Sequence, residues 1–306
     1  MFLEKGFHIQ TSWWKYPVVV AFVFIGILIF SLPLNFILES KVHLEGFDAA
    51  KASDISYLSN FFDSNKLLIL MLFPFIGALS FLLLGVRFLH KQNFVSLTTG
   101  RKKIDFTRII YSFTCCSLFA LLFTSLKYTL YPESLVLNFD LYNFSFLFFA
   151  AIVLIPIQIS FEEYFFRAYL LQSVAYFSRS TFVPFVFTSV LFGVLHLSNP
   201  EVSKLGYGLL AYYITSGFFL CILVIVDNGL ELSLGYHLAN NLVSLLLVTS
   251  DWQVLQAESI FKDTSEPNIF LDALLPSLTF PVIFYIFSKK YKWTNIRNKL
   301  FQSLGH

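Results

Sequence analysis

Charge is scarce in this chain: 13% of its 306 residues are Asp, Glu, Lys or Arg, about half the ~25% of an ordinary soluble domain. With 57% hydrophobic residues and a mean hydropathy of +0.70, that shortage excludes a water-soluble globular domain and points to a polytopic helical membrane protein. The formal net charge is only +2, and no basic stretch is interleaved with aromatics, so no nucleic-acid partner is expected. Cysteine is also rare. Cys115, Cys116 and Cys221 all fall in apolar runs without a CxxC pair, which argues against a disulfide framework and a thiolate metal site. The chain has no HExxH helix, no GxSxG stretch and no cysteine near a histidine in sequence. The usual zinc-protease helix and the common covalent nucleophiles are therefore missing. No internal repeat or low-complexity linker appears.

Apolar runs and aromatics are abundant. Thirty-nine phenylalanines and fifteen tyrosines suit lipid-facing and interfacial positions. Eight spans can be drawn at 16–38, 67–86, 107–126, 145–171, 181–197, 207–226, 230–249 and 269–288, each near the ~20 residues that cross a ~30 Å hydrocarbon core. The expected fold is an all-α transmembrane bundle. Lys5 and Lys15 precede an apolar stretch of more than twenty residues, longer than a signal-peptide core, so this first run is expected to stay as an anchor. Asp227-Asn228-Gly229 reads as a tight turn between two spans.

Charge sets the expected orientation. The 87–108 connection carries Arg87, Lys91, Arg101, Lys102, Lys103 and Arg108, and the tail carries Lys289, Lys290, Lys292, Arg297 and Lys299. Both belong in the cytoplasm by the positive-inside rule. The 39–66 connection (Glu39, Glu45, Asp48, Asp54, Asp63) and the 250–267 connection (Asp251, Glu258, Asp263, Glu266) are poor in Lys and Arg, so they belong outside. Eight spans with both termini cytoplasmic satisfy all four segments. The expected organisation is a three-span scaffold over 1–140, a four-span core over 141–250, and a last span with a basic tail over 251–306.

Polar residues within spans concentrate between 158 and 244. Ser160-Phe161-Glu162-Glu163-Tyr164-Phe165-Phe166-Arg167 places two carboxylates and a guanidinium in an apolar run, where ionisable residues are costly and usually functional. Read as helix, Glu163 and Arg167 are i,i+4 neighbours that can pair. Glu162 is turned about 100° away and is free for another partner. Phe192-Gly193-Val194-Leu195-His196 ends the fifth span with a histidine one turn after a phenylalanine. Tyr236-His237-Leu238-Ala239-Asn240-Asn241 offers a histidine with Asn240 at i+3 and Asn241 at i+4, and spacing favours neither amide. Each group also has a plain structural reading. Glu163–Arg167 can be a helix-joining ion pair, His196 an interfacial residue, and His237 with Asn241 interhelical hydrogen-bond glue worth about 0.6 kcal/mol each.

Taken together, these groups make a hydrolytic set. A desolvated glutamate is a competent general base, a histidine beside it can share a water and protonate a leaving amine, and a second histidine with an amide can stabilise an oxyanion. Activated water is favoured because no nucleophile has a plausible base. A divalent metal such as zinc held by Glu162, His196 and His237 is the competing arrangement.

The three stretches resemble the CPBP intramembrane protease family, which includes CAAX proteases and bacteriocin-processing enzymes and is also called Abi. Its signature is EExxxR, then FxxxH, then HxxxN or HxxxD, on successive transmembrane helices. Here it reads Glu162-Glu163 with Arg167, Phe192 with His196, and His237 with Asn241, at spacings of about 30 and 40 residues over roughly 145–249. The resemblance implies an intramembrane endopeptidase acting on membrane-associated proteins or peptides. In it Glu162 and His196 activate water, His237 and Asn241 form the oxyanion hole, Glu163 and Arg167 support them, and no metal is obligatory. Size and short loops fit a bacterial plasma membrane, where CaaX processing is not expected.

The linear spans pose one conflict. If the fourth enters from outside near Phe146, Glu162 lies about 25 Å along it, near the cytoplasmic side, whereas the fifth carries His196 towards the opposite face. Either the fourth helix starts later and extends beyond Leu171, or the fifth is displaced or tilted, with Pro156 and Pro184 as places for a kink. Two other classes compete with the protease: a non-catalytic immunity or scaffold protein of the same fold, and an ion-coupled transporter, which no inverted repeat supports.

Overall fold

The structure, a computed structural model, describes residues 1–9, 11–42, 46–52 and 55–305. Glu45 and Asp54, counted above in the 39–66 connection, lie outside the described residues. The chain forms an all-α polytopic bundle of eight main helices: α1 (Lys15–Lys41), α2 (Ser64–Phe88), α3 (Phe106–Leu130), α4 (Leu141–Ser178), α5 (Phe182–Val194), α6 (Leu209–Asp227), α7 (Glu231–Leu247) and α8 (Phe270–Tyr291). Among the described residues six of these, α1 to α4 with α6 and α8, are long and apolar enough to cross a membrane. The runs at 181–197 and 230–249 form helices of 13 and 17 residues, about 20 and 26 Å long. The protein is an integral membrane protein.

Local sequence explains where the helices start and stop. Asp63, Asp105 and Asp140 cap α2, α3 and α4 by accepting backbone N–H bonds from Lys66, Thr107 and Asn143, which satisfies donors that a helix start leaves unpaired. Arg179 ends α4 and Asn228 ends α6 in the left-handed conformation, at φ 51° and 66°; Asn228 is the centre of the turn expected from Asp227-Asn228-Gly229.

The helices run between two ends of different character. One end gathers the 89–105 connection, the α4–α5 and α6–α7 turns and both terminal segments. There the Phe2 N–H donates to Asn228 Oδ1 at 2.5 Å, and the Leu304 N–H donates to Arg179 O at 2.9 Å. Arg101 reaches Asp227 at 2.9 Å and Glu231 at 3.1 Å. The other end joins the start of α2 to the 131–140 and 248–268 segments: Asn65 donates to Asn143 O at 2.9 Å and accepts from the Glu258 N–H at 3.0 Å. A small sheet sits there, with β3 (Phe261–Asp263) between antiparallel β1 (Leu135–Leu137) and parallel β2 (Val248–Thr249). Hydropathy alone showed none of these strands. The basic 87–108 connection and the basic tail thus share one end, and the 250–267 connection lies at the other.

Packing separates the outer helices from the inner ones. In their most apolar windows 17% of α1 and 11% of α3 is buried, against 39% of α4 and 50% of α6, so the polar residues of α4 sit inside a wall of lipid-facing side chains. Gly26 and Gly77 let α1 and α2 touch backbone to backbone: a Cβ on either would strike the other's carbonyl, the close approach that small residues permit between membrane helices. Leu147, Ala151, Ile155 and Ile159 of α4 then share one core with Leu68 and Leu72 of α2 and Val224 and Ile225 of α6.

Candidate active site

The depth conflict resolves through the lengths of two helices. α4 is a continuous 38-residue helix that runs seven residues past Leu171 to Ser178, and α5 stops after 13. Measured from the end they share, Glu162 lies about 24 Å along α4 and His196 about 21 Å from the start of α5. Aromatic contacts close the remaining distance. The Phe192 ring packs 4.6 Å from His196, 6.2 Å from His237 and 5.5 Å from Phe166. Gly193 lets α5 lie directly against α6, since a Cβ there would meet the Ile214 backbone N at 2.9 Å.

The stretch Glu163–Leu170 is π-helical, a wider coil found often at functional sites and without a compositional signal here. It still brings Glu163 and Arg167 together at 3.1 Å, with 0% and 1% side-chain exposure. The contact is a charge pair rather than a hydrogen bond, because neither terminal nitrogen of Arg167 has a hydrogen-bond partner among the described residues. The guanidinium lies 3.9 Å over the Phe192 ring. Glu163 also holds α7: His237 Nδ1 is 2.8 Å from its Oε1, and the Ser233 hydroxyl donates to its Oε2.

Glu162 points elsewhere, as its helical phase required. Its Oε1 accepts from Gln158 Nε2, and its Oε2 is 3.6 Å from His237 Nε2. That gap is too long for a direct hydrogen bond. Gln158 Oε1 in turn accepts from Asn241 Nδ2 at 3.2 Å, and Asn241 Oδ1 accepts from Asn240 Nδ2 at 3.1 Å. The two asparagines that spacing could not rank are thereby distinguished: Asn241 faces the carboxylate arm and Asn240 backs it.

His196 approaches from the other side. Its Nδ1 is 2.7 Å from Phe192 O and its ring stacks on Tyr213 at 4.4 Å. A carbonyl only accepts, so Nδ1 carries the proton and Nε2 is the free basic nitrogen. No nitrogen of His196 comes within 4.0 Å of a Glu162 oxygen, although the Glu162 charge acts on it electrostatically. The structure therefore sets His237 nearer to Glu162 than His196 is. Among the described residues no three His, Cys, Asp or Glu side chains are grouped to hold an ion; Glu162 and His237 lie closest, and His196 stands farther off.

Sequence spacing alone does not single out Gln158, Ser233 and Tyr213. A signal exists for two of them. Gln158 precedes Glu162 by one turn and Ser233 precedes His237 by one turn, the i,i+4 relation that places residues on one helical face. Tyr213 has no such mark.

Beyond His196 the chain makes a short helix, Pro200–Leu205, with the buried carboxylate of Glu201. Glu201 Oε1 accepts from the Val254 N–H at 2.7 Å, while its Oε2 is buried without a hydrogen-bond partner among the described residues. Burial raises its pKa above the ordinary 4.5, against the Val254 and its own backbone hydrogen bonds. The folded chain holds this proton more tightly than the unfolded one. Its contribution is therefore complete below the unfolded pKa and is lost as pH rises through the folded value. Glu201→Gln keeps an acceptor for Val254 and mimics the protonated state. Its melting temperature is expected to gain on the wild type as pH rises from about 5 to 8; a difference that does not change with pH would refute this.

Fold and site together define an integral membrane protein with a half-buried carboxylate–imidazole–amide cluster where α4, α5 and α7 meet. Residues 142–243 match the family described as Type II CAAX prenyl endopeptidase Rce1-like, so the resemblance carried by the three motifs holds over the segment that contains all seven motif residues. The chain is also 35% identical over 170 residues to a Bacillus subtilis (strain 168) protein named "Uncharacterized protein YyaK". That alignment covers 54% of this chain and 56% of the relative, so the chain spans little more than half the length of the curated relative it matches.

Proposed function

We propose that this protein is an intramembrane endopeptidase of a bacterial plasma membrane, with both termini cytoplasmic, that hydrolyses peptide bonds of membrane-associated proteins or peptides using water activated by Glu162. The observation that carries the reading is the convergence of three motifs, far apart in sequence, on one half-buried polar cluster inside the family-matched segment. The Bacillus relative fits the bacterial setting. Prenylated substrates belong to the family's description; in a bacterial membrane an unmodified peptide is the simpler substrate.

The chemistry follows from the donors and acceptors. Water placed between Glu162 and His196 gives one proton to the carboxylate as its oxygen adds to the scissile carbonyl carbon. The carbonyl oxygen becomes the oxyanion. Asn241 Nδ2 has one N–H on Gln158 and a second to offer. His237 gives its Nδ1–H to Glu163, so its Nε2 can donate only as the imidazolium. The oxyanion donor is then a cation, held by the Glu163 carboxylate behind it. Collapse breaks the C–N bond, and the proton taken from water passes to the leaving amine through Glu162 or His196 Nε2. Preorganised donors of this kind supply much of the rate of acyl transfer.

New protein termini in membranes test the proposal whatever the substrate is. Cells producing the wild-type chain are expected to show membrane-protein fragments that vanish when Glu162→Gln replaces it at equal abundance. Identical terminal-peptide profiles from the two strains would reject proteolysis and favour a non-catalytic role.

A further inference from the structure

We infer that Gln158 is a positioning residue that selects the base oxygen of Glu162 and aims the oxyanion donor of Asn241, an inference that rests on the proposed hydrolysis. Gln158 lies one turn before Glu162 on α4, is 7% exposed, and is the only residue that hydrogen-bonds both Glu162 and Asn241 among the described residues. Its amide has two different ends, and each is used once. The Nε2 end donates to Glu162 Oε1, which leaves Oε2 turned to His237 as the oxygen free to take a proton. The Oε1 end accepts from Asn241 Nδ2 at 3.2 Å.

The chain of donors has a direction. Asn240 donates to Asn241, Asn241 to Gln158, and Gln158 to Glu162. Every bond points towards the carboxylate, and an ionised acceptor at the end strengthens each one before it. Reversing the Gln158 amide would put its oxygen against Glu162 and its nitrogen against Asn241 Nδ2, so two like groups would face each other at both contacts. The network therefore fixes one orientation of all three amides. A hydrophobic residue would join α4 to α7 equally well as packing; what it would lose is the ordering of the two reactive groups.

Gln158→Leu tests this because it fills a similar volume while removing both ends. With both ends gone, Glu162 loses its hydrogen bond and Asn241 its acceptor. The kcat is expected to fall about ten- to a hundredfold with KM little changed. A purely structural Gln158 would lower the melting temperature and leave the kcat of the folded protein where it was. That result overturns the inference.

A second measurement needs no substrate. The infrared carboxyl stretch of Glu162, assigned as the band lost in Glu162→Gln, is expected to shift in frequency in Gln158→Leu, because Oε1 loses its hydrogen bond. An unchanged band overturns the inference even if no peptide is cleaved. Gln158→Met, unbranched and of similar length, gives the same comparison if the leucine variant does not fold. Failure of the hydrolytic reading looks different: there Glu162→Gln itself keeps full turnover.

Discussion

Glu162→Gln is expected to lower kcat/KM by about 10²–10⁴-fold, the usual contribution of a positioned general base, which corresponds to about 3–5.5 kcal/mol of transition-state stabilisation. The fold should survive the change. Glutamine keeps an oxygen for Gln158, and among the described residues Glu162 holds Gln158 and the more distant His237. Glu163→Gln provides the contrast. Glu163 is fully buried and contacts Arg167, His237 and Ser233 at once, so its neutralisation uncovers the Arg167 charge and weakens the contact that holds His237 Nδ1. It should lose both turnover and thermal stability. The pair of variants thus tests the proposed division between a reacting carboxylate and a supporting one. Purified protein and a membrane-tethered peptide suffice: turnover by Glu162→Gln within a factor of two of wild type would end the assignment.

Much of this was legible in the sequence because burial in a bilayer makes polar residues conspicuous. Two carboxylates and an arginine among phenylalanines stand out, and the i,i+4 rule was enough to pair Glu163 with Arg167 and to turn Glu162 away. The depth of the site was not legible. Residues 172–178 include Gln172, Ser173 and Ser178 and fall outside the span drawn to 171; they are helical, and residues Phe2 and Leu3 pack against them. Gln172 Nε2 donates to Phe2 O at 3.2 Å, and Phe2 and Leu3 are buried beside it. That covering is a tertiary contact between residues 170 positions apart, which no local pattern contains. The same holds for His237 and Glu163, 74 positions apart. Local spacing ranks residues on one helix; it says nothing of which face another helix will meet. Hence family resemblance matches Glu162 with His196, whereas the structure sets His237 beside it.

Arg167→Met is expected to be the most destabilising single change in the cluster, by about 3–5 kcal/mol, because removing one partner of a buried ion pair strands the other. The pair is 3.1 Å apart with both side chains almost wholly buried, and the stranded Glu163 would keep only Ser233 and His237. The loss reaches the opposite wall of the site as well. Arg167 lies 3.9 Å over the Phe192 ring, a contact worth about 0.5–2 kcal/mol depending on desolvation, and Phe192 carries His196 through ring packing and a backbone carbonyl. Stability and turnover should therefore fall together, unlike Glu162→Gln. The double variant Glu163→Gln with Arg167→Met is the decisive comparison. If desolvation of an unpaired charge is the cause, removing both charges restores part of the stability lost in Arg167→Met while turnover stays low, because His237 has then lost its carboxylate. Unfolding measured in detergent or bicelles gives the cycle directly. Additive losses, with the double variant weaker than either single one, would show that Arg167 acts by packing on Phe192 rather than by charge.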